Sequence, residues 1–142
     1  MRRFVVDPGT LVSAVASPPA PAGGAASLVL EEVLDCSFEA IACPKLIEEF
    51  RRGLECDYFV GRFEGLYMAE IVAGIEQALI KQDDPVEVKP LLSDPDSDYL
   101  VALARDAGAD AIVTADPALL DHAGLEPPAI DARTAYELIV PG

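Results

Sequence analysis

The chain has 142 residues, 51% of them hydrophobic and 25% charged, enough for one globular domain with a proper core and too few for a second large one. Asp and Glu number 25 against 10 Lys and Arg, a formal charge of −15 with a pI of 4.1, which excludes nonspecific coating of nucleic acid: such a partner must be met through a local basic patch, a bound cation or a basic protein. Cys36, Cys43 and Cys56 make no CxxC pair and are odd in number, so they read as reduced cytoplasmic thiols; the single His122 argues against a histidine-built zinc site, and 6% aromatics without Trp against a row of stacked bases.

Short apolar runs alternate with longer helical ones, the order of βαβ units on a parallel sheet. The run 3–7 (RFVVD) predicts a buried first strand that ends on an acid. Residues 8–30 carry no charge and follow Arg2 and Arg3, which superficially resembles a secretory signal. Asp7 stands where the apolar run of a signal begins, and Pro8, Pro18, Pro19, Pro21, Gly23 and Gly24 interrupt it, so neither a signal nor a membrane span is expected. A helix over 11–16, a Pro/Gly/Ala-rich loop over 17–25 and a helix over 26–35 follow, with Leu28, Leu30, Val33 and Leu34 inward. The second strand is expected over 38–43.

Pro44 suits the first turn of a helix in which Leu46, Ile47, Phe50 and Leu54 recur at helical spacing. After a broken stretch from Gly53 to Gly61, a long helix is predicted over 64–82 and a short strand over 86–88. Asp94 or Asp96 is expected to cap a helix that starts near Asp98 and stops at Gly108. Residues 111–115 form the next strand and again lead to an acid, Asp116; a helical turn at Leu119 and Leu120, a strand over 129–131 and a helix over 134–140 complete the chain.

Asp7, an acid at Glu48 or Glu49, an acid among Asp94, Asp96 and Asp98, and Asp116 are far apart in sequence, yet each falls at a strand end or a helix start. In open α/β sheets, ligands collect beyond the carboxyl ends of strands, so these acids can converge. Hard divalent cations take oxygen ligands and keep waters, which makes such a set a plausible Mg²⁺ site completed by a phosphate; without a cation the carboxylates repel one another.

Three segments, RFVVDPGTLVSA, PKLIEEFRRGL and DPDSDYLVALARDAGADAIVTADPALL, bring a family into view: over nearly its full length the chain resembles PIN domains, in particular the branch related to VapC-type toxins. The resemblance implies one PIN-like domain over 1–142 with a doubly wound, three-layer α/β/α and mostly parallel sheet. It also implies a divalent-cation-dependent endoribonuclease that uses Mg²⁺ or Mn²⁺ and leaves a 5′-phosphate and a 3′-hydroxyl. Asp7 matches the acid after the first strand, Glu49 the helix glutamate with Glu48 as the other register, Asp98 the acid of the third segment with Asp96 as its alternative, and Asp116 the last acid; together they are the expected catalytic and metal residues.

Where relatives carry Asn or another polar residue two places after the first acid, this chain has Gly9, with Thr10 beside it as a partial substitute. Thr114 is a candidate to orient a ligand carboxylate or water. Arg51, Arg52 and Arg62 are candidate phosphate contacts, and His122 reads as a surface residue. Expected partners are an RNA substrate, a basic antitoxin if the chain is a toxin, and a second copy in a homodimer. The competing reading is a noncatalytic PIN-like module that binds a basic partner. A haloacid-type phosphatase fails because Val6 and Pro8 stand where its two acids belong, and a dinucleotide fold fails for lack of a GxGxxG after the first strand.

Overall fold

The computed structural model describes residues 1–17, 22–55, 65–92 and 95–140; Cys56, Arg62 and Asp94 lie outside them. Five strands form one parallel sheet: β1 (Arg3–Val6), β2 (Glu39–Ala42), β3 (Ile80–Lys81), β4 (Ala111–Val113) and β5 (Ala129–Ile130), in the order β3-β2-β1-β4-β5. The helices are α1 (Pro8–Ala16), α2 (Ala25–Leu34), α3 (Pro44–Leu54), α4 (Gly65–Ala78), α5 (Asp98–Asp106), α6 (Pro117–Leu120) and α7 (Ala132–Ile139). This is the doubly wound, three-layer α/β/α arrangement expected from the sequence.

Register follows from burial of both sheet faces. Val5 of β1 pairs Ile41 on one side and Ile112 on the other, and Phe4 pairs Ala40 and Ala111, so the central strand is apolar and buried from Phe4 to Val6. The chain winds outward from β1 in both directions. Strand order therefore reverses between β1 and β4, and their carboxyl ends open the crevice in which this architecture binds ligands.

Three strand exits share one local design. Val6-Asp7-Pro8, Ala42-Cys43-Pro44 and Ala115-Asp116-Pro117 each pass from strand to helix through an extended cap residue followed by proline at the first helical position, where its missing N–H costs nothing. Asp7 and Asp116 cap with their side chains, accepting from Gly9 N and Ala118 N at 2.9 Å each. Cys43 does not cap; Asp84 does so instead, accepting from Lys45 N at 2.9 Å. Burial pushes the Cys43 thiol up to about 11, so it stays protonated at neutral pH.

Three expectations give way here. The long helix predicted over 64–82 ends at Ala78, because Ile80 and Lys81 leave it to pair with Ile41 and Ala42 as β3. The strand predicted over 86–88 is irregular chain with Val86 at 97% exposure: the third strand lies earlier, where β2 offers an edge. In α2 it is Val29, with Ser27, Leu30 and Val33, that is buried, while Leu34 is exposed at the last turn and leans over Gly74 of α4. Among the described residues no helix is long and apolar enough to cross a membrane.

Candidate active site

Asp7 leaves β1 at the crevice with both carboxylate oxygens engaged. Its Oδ1 accepts from Gly9 N, and its Oδ2 accepts from the Thr114 hydroxyl at 2.7 Å. The same Thr114 oxygen accepts the Asp116 backbone N–H at 3.0 Å. The hydroxyl of one residue, 1% exposed just after β4, thus ties the Asp7 carboxylate to the Asp116 backbone across the switch point. Thr114 thus holds the Asp7 carboxylate by a direct hydrogen bond.

Glu49 reaches the same region from α3. Leu46 and Phe50 are fully buried on one face of that helix, and Glu49, one residue before Phe50, is half-buried at its border. Its carboxyl is held above the usual range chiefly by burial, with the negative charges of Asp7 and Asp96 adding to the rise; the Tyr99 hydroxyl and Lys45 oppose it. Glu48 instead is exposed and accepts from Arg52 at 2.6 Å. Of the two glutamates, Glu49 is the one in electrostatic reach of Asp7.

Helix α3 can lie where it does because of Gly53. A Cβ there would stand 2.7 Å from Val12 Cγ2 of α1, so the absence of a side chain lets α1 and α3 pack closely and sets Glu49 against the Asp7 end of the sheet.

The two candidates for the third acid part ways. Asp98, the first residue of α5, is 3% exposed, and its Oδ1 accepts from Leu91 N at 3.3 Å and Leu92 N at 2.9 Å. It lines a small cleft with Lys89, Leu91, Val101 and Arg105. Asp96, in the 3₁₀ turn Pro95–Ser97, is exposed, lines a cleft with Lys45, Glu49, Arg52 and Gly53, and bears electrostatically on Glu49. Ser97, not Asp96, is the residue that precedes α5, and it makes no side-chain cap bond. His122 is half-buried rather than on the surface: since a carbonyl only accepts, its Nε2–H donates to Leu91 O at 3.1 Å. Asp98 and His122 therefore clamp both peptide groups of Leu91.

Of the expected basic contacts, Arg51 is turned to α4, where it donates to both carboxylate oxygens of Glu76 at 2.6 and 2.8 Å. Arg52 lines the clefts beside Glu49. Thr10 is buried, and its Oγ1 has no partner among the described residues. At Gly9 a Cβ would stand 3.4 Å from Asp7 Oδ1, the near limit of ordinary contact, so a polar side chain there would border that carboxylate directly.

Sequence reasoning missed Lys45 and Tyr99. Tyr99 is 3% exposed; burial first, then the charge of Glu49, raises its phenol and keeps it neutral, and its hydroxyl, in electrostatic reach of Glu49, makes no bond of good geometry among the described residues. Lys45 Nζ stands over the Tyr99 ring, 4.5 Å from its centroid. The spacing Lys45 to Glu49, four residues on one helix, was the available signal.

No curated protein and no solved structure matches the chain significantly. A PIN-domain family model does, over residues 3–118. That match covers most of the chain, from the start of β1 to the residue that Asp116 caps, and the chain belongs to the PIN-domain family, whose members are generally nucleases.

Proposed function

We propose that the protein is a divalent-cation-dependent endoribonuclease whose centre is built on Asp7 and Asp116, with Glu49 and Asp96 facing them, and that it serves as the toxin of a toxin-antitoxin pair. The observation that carries this reading is the Thr114 hydroxyl, which ties Asp7 to the Asp116 backbone at the sheet's switch point while Glu49 is held above its usual range by burial and by neighbouring negative charge.

The donor set suits a hard cation. Asp7, Asp116, Glu49 and Asp96 offer only carboxylate oxygens, and the mutual repulsion read at Glu49 is what a positive ion would relieve. Among the described residues no three His, Cys, Asp or Glu side chains stand close enough to cage an ion unaided. That favours a cation that keeps much of its water and takes one or two carboxylates plus a substrate phosphate, the habit of Mg²⁺. When bound, Mg²⁺ or Mn²⁺ supplies Lewis acidity at phosphate oxygens and lowers the pKa of water.

The protein's own groups do the rest. Asp7 and Asp116 would hold the ion, Thr114 fixes the Asp7 carboxylate, and Glu49 and Asp96 would order water and add negative charge at the entrance. Asp98 holds the loop at Leu91 and Leu92. The charge of −15 suits a basic antitoxin segment laid over the acidic crevice, and a homodimer is part of the same family reading.

The test is incubation of purified protein with mixed structured RNAs and single-stranded DNA in Mn²⁺, beside an EDTA control and Asp7→Asn, with cleaved ends mapped by sequencing. Cleavage of RNA lost in both controls is the expected result. Gly9, which puts no polar side chain two places after Asp7, favours a second reading: a noncatalytic module that binds a basic partner. No cleavage by folded protein that also fails to bind Mn²⁺ selects it.

A further inference from the structure

We infer that Lys45 and Arg52 grip two phosphates of a single-stranded nucleic acid on either side of Glu49, so that the strand runs along α3 across the acidic crevice. The inference deepens the nuclease reading and rests on it for the identity of the substrate.

The argument begins with the helix. Leu46 and Phe50 bury one face of α3, which leaves Lys45, Glu48, Glu49 and Arg52 on the face toward solvent and the crevice. Lys45 lies four residues before Glu49 and Arg52 three after it, all within two turns, so the two cations flank the carboxylate about 10 Å apart along the axis. Two adjoining clefts of about 500 and 340 Å³ share Lys45, Glu49 and Arg52; the first adds Asp96 and Gly53, the second Pro44, Glu48 and Asp84. Lys45 and Arg52 are the basic residues of both.

A polyanion brought to Asp7, Glu49, Asp96 and Asp116 is repelled unless neighbouring phosphates find cations, and few are placed to help. Arg51 is held bidentately by Glu76, Arg3 by Glu39 and the Ala107 carbonyl, and Arg105 by the Glu126 carbonyl. Lys45 differs: among the described residues no carboxylate forms an ion pair with its Nζ, which instead stands over Tyr99, a contact that positions the charge without neutralising it. Arg52 is paired with Glu48, but the two side chains are 69% and 67% exposed, and a pair so solvated exchanges readily for a phosphate. A single strand suits the site because its phosphates can be spaced to meet both groups.

The experiment follows a labelled single-stranded RNA across a salt series, by cleavage in Mn²⁺ and by fluorescence anisotropy in EDTA, for the wild type, Lys45→Gln, Arg52→Gln, the double variant, Lys45→Arg, Arg51→Gln and Asp7→Asn. Each Gln variant is expected to raise KM about 3- to 10-fold with kcat within about twofold, and Lys45→Arg to restore KM. The double variant should flatten the slope of log affinity against log salt by about 1.4, at about 0.7 per single-strand phosphate. Arg51→Gln should match the wild type. Unchanged KM and slope in the double variant overturn the inference even if Asp7→Asn abolishes cleavage. Failure of the wild type to cleave sinks the nuclease reading separately, since binding in EDTA still reads the slope, and absence of both cleavage and binding by the wild type overturns both.

Discussion

Thr114→Val removes one hydroxyl and keeps the shape of the side chain, so its effect isolates the link between the two strand-end acids. The residue is 1% exposed, and its hydroxyl donates to the Asp7 carboxylate at 2.7 Å and accepts the Asp116 N–H at 3.0 Å; valine leaves both partners unsatisfied without opening a cavity. A bond to an ionised group contributes about 1.5–3 kcal/mol and a neutral one about 0.5–1.5, which sets the expected loss at about 2–4 kcal/mol. For a domain of this size that lowers Tm by roughly 5–15 °C. Urea unfolding followed by circular dichroism measures the loss, and cleavage of RNA in Mn²⁺ should fall at least about tenfold because Asp7 is no longer oriented. Thr114→Ser keeps the hydroxyl and should lose only about 1 kcal/mol for the missing methyl group. Should Thr114→Val stay within about 0.5 kcal/mol of the wild type with full activity, or Thr114→Ser be equally damaging, the link carries nothing and Thr114 is an ordinary strand residue.

Glu49→Gln should raise Tm at neutral pH while reducing cleavage at least about tenfold. The folded-state pKa of Glu49 lies above its ordinary 4.5, so the ionised form is disfavoured by folding: stability is lost as pH rises from 4.5 through the raised value, and the gain from Gln disappears below 4.5. Equal Tm values across that range would contradict the burial argument, and a larger activity loss in Glu48→Gln would assign the other register. For the third acid, Asp98→Asn keeps an oxygen for the Leu91 and Leu92 N–H groups and should cleave normally, whereas Asp96→Asn should lose cleavage. The reverse pattern in the same assay would return the role to Asp98. Gly53→Ala should destabilise by about 1–3 kcal/mol despite alanine's better helix propensity, since the new methyl meets the stiff Val12 side chain 2.7 Å away. Gly74→Ala, which meets only the outer Leu34 Cδ2 at 3.2 Å, serves as the comparator in thermal denaturation and should be near neutral.

How far the sequence reaches differs from element to element. An apolar run such as 4–6 or 111–113, buried on both faces and followed by an acid and a proline, specifies a strand, its end and the cap that follows by local chemistry alone. The same is true of α3, whose Leu46 and Phe50 declare the buried face and place Glu49 at its border. The order of these units then implied the parallel sheet and the crevice at its switch point.

Pairing across the sheet was beyond local reading. Ile80 and Lys81 continue a helical pattern in sequence, and only the free edge of β2 draws them into a strand, while Val86 and Val88, better strand formers by type, have no edge to join. The different surroundings of Asp96 and Asp98 were likewise invisible, because residues two apart at a helix start differ in direction and not in kind: Asp98 meets the Leu91 and Leu92 N–H groups, and Asp96 lines the cleft beside Glu49. Lys45 and Arg51 show the same limit for cations, since whether a basic side chain remains available depends on which acid the fold brings beside it, Glu76 for Arg51 and the face of Tyr99 for Lys45. Residue type and spacing determined β1, β2 and β4, the Asp7 and Asp116 caps and the acids that stand at those strand ends; β3, the partners of each charge, and hence which residues remain available, were decided by contacts between elements distant in the chain.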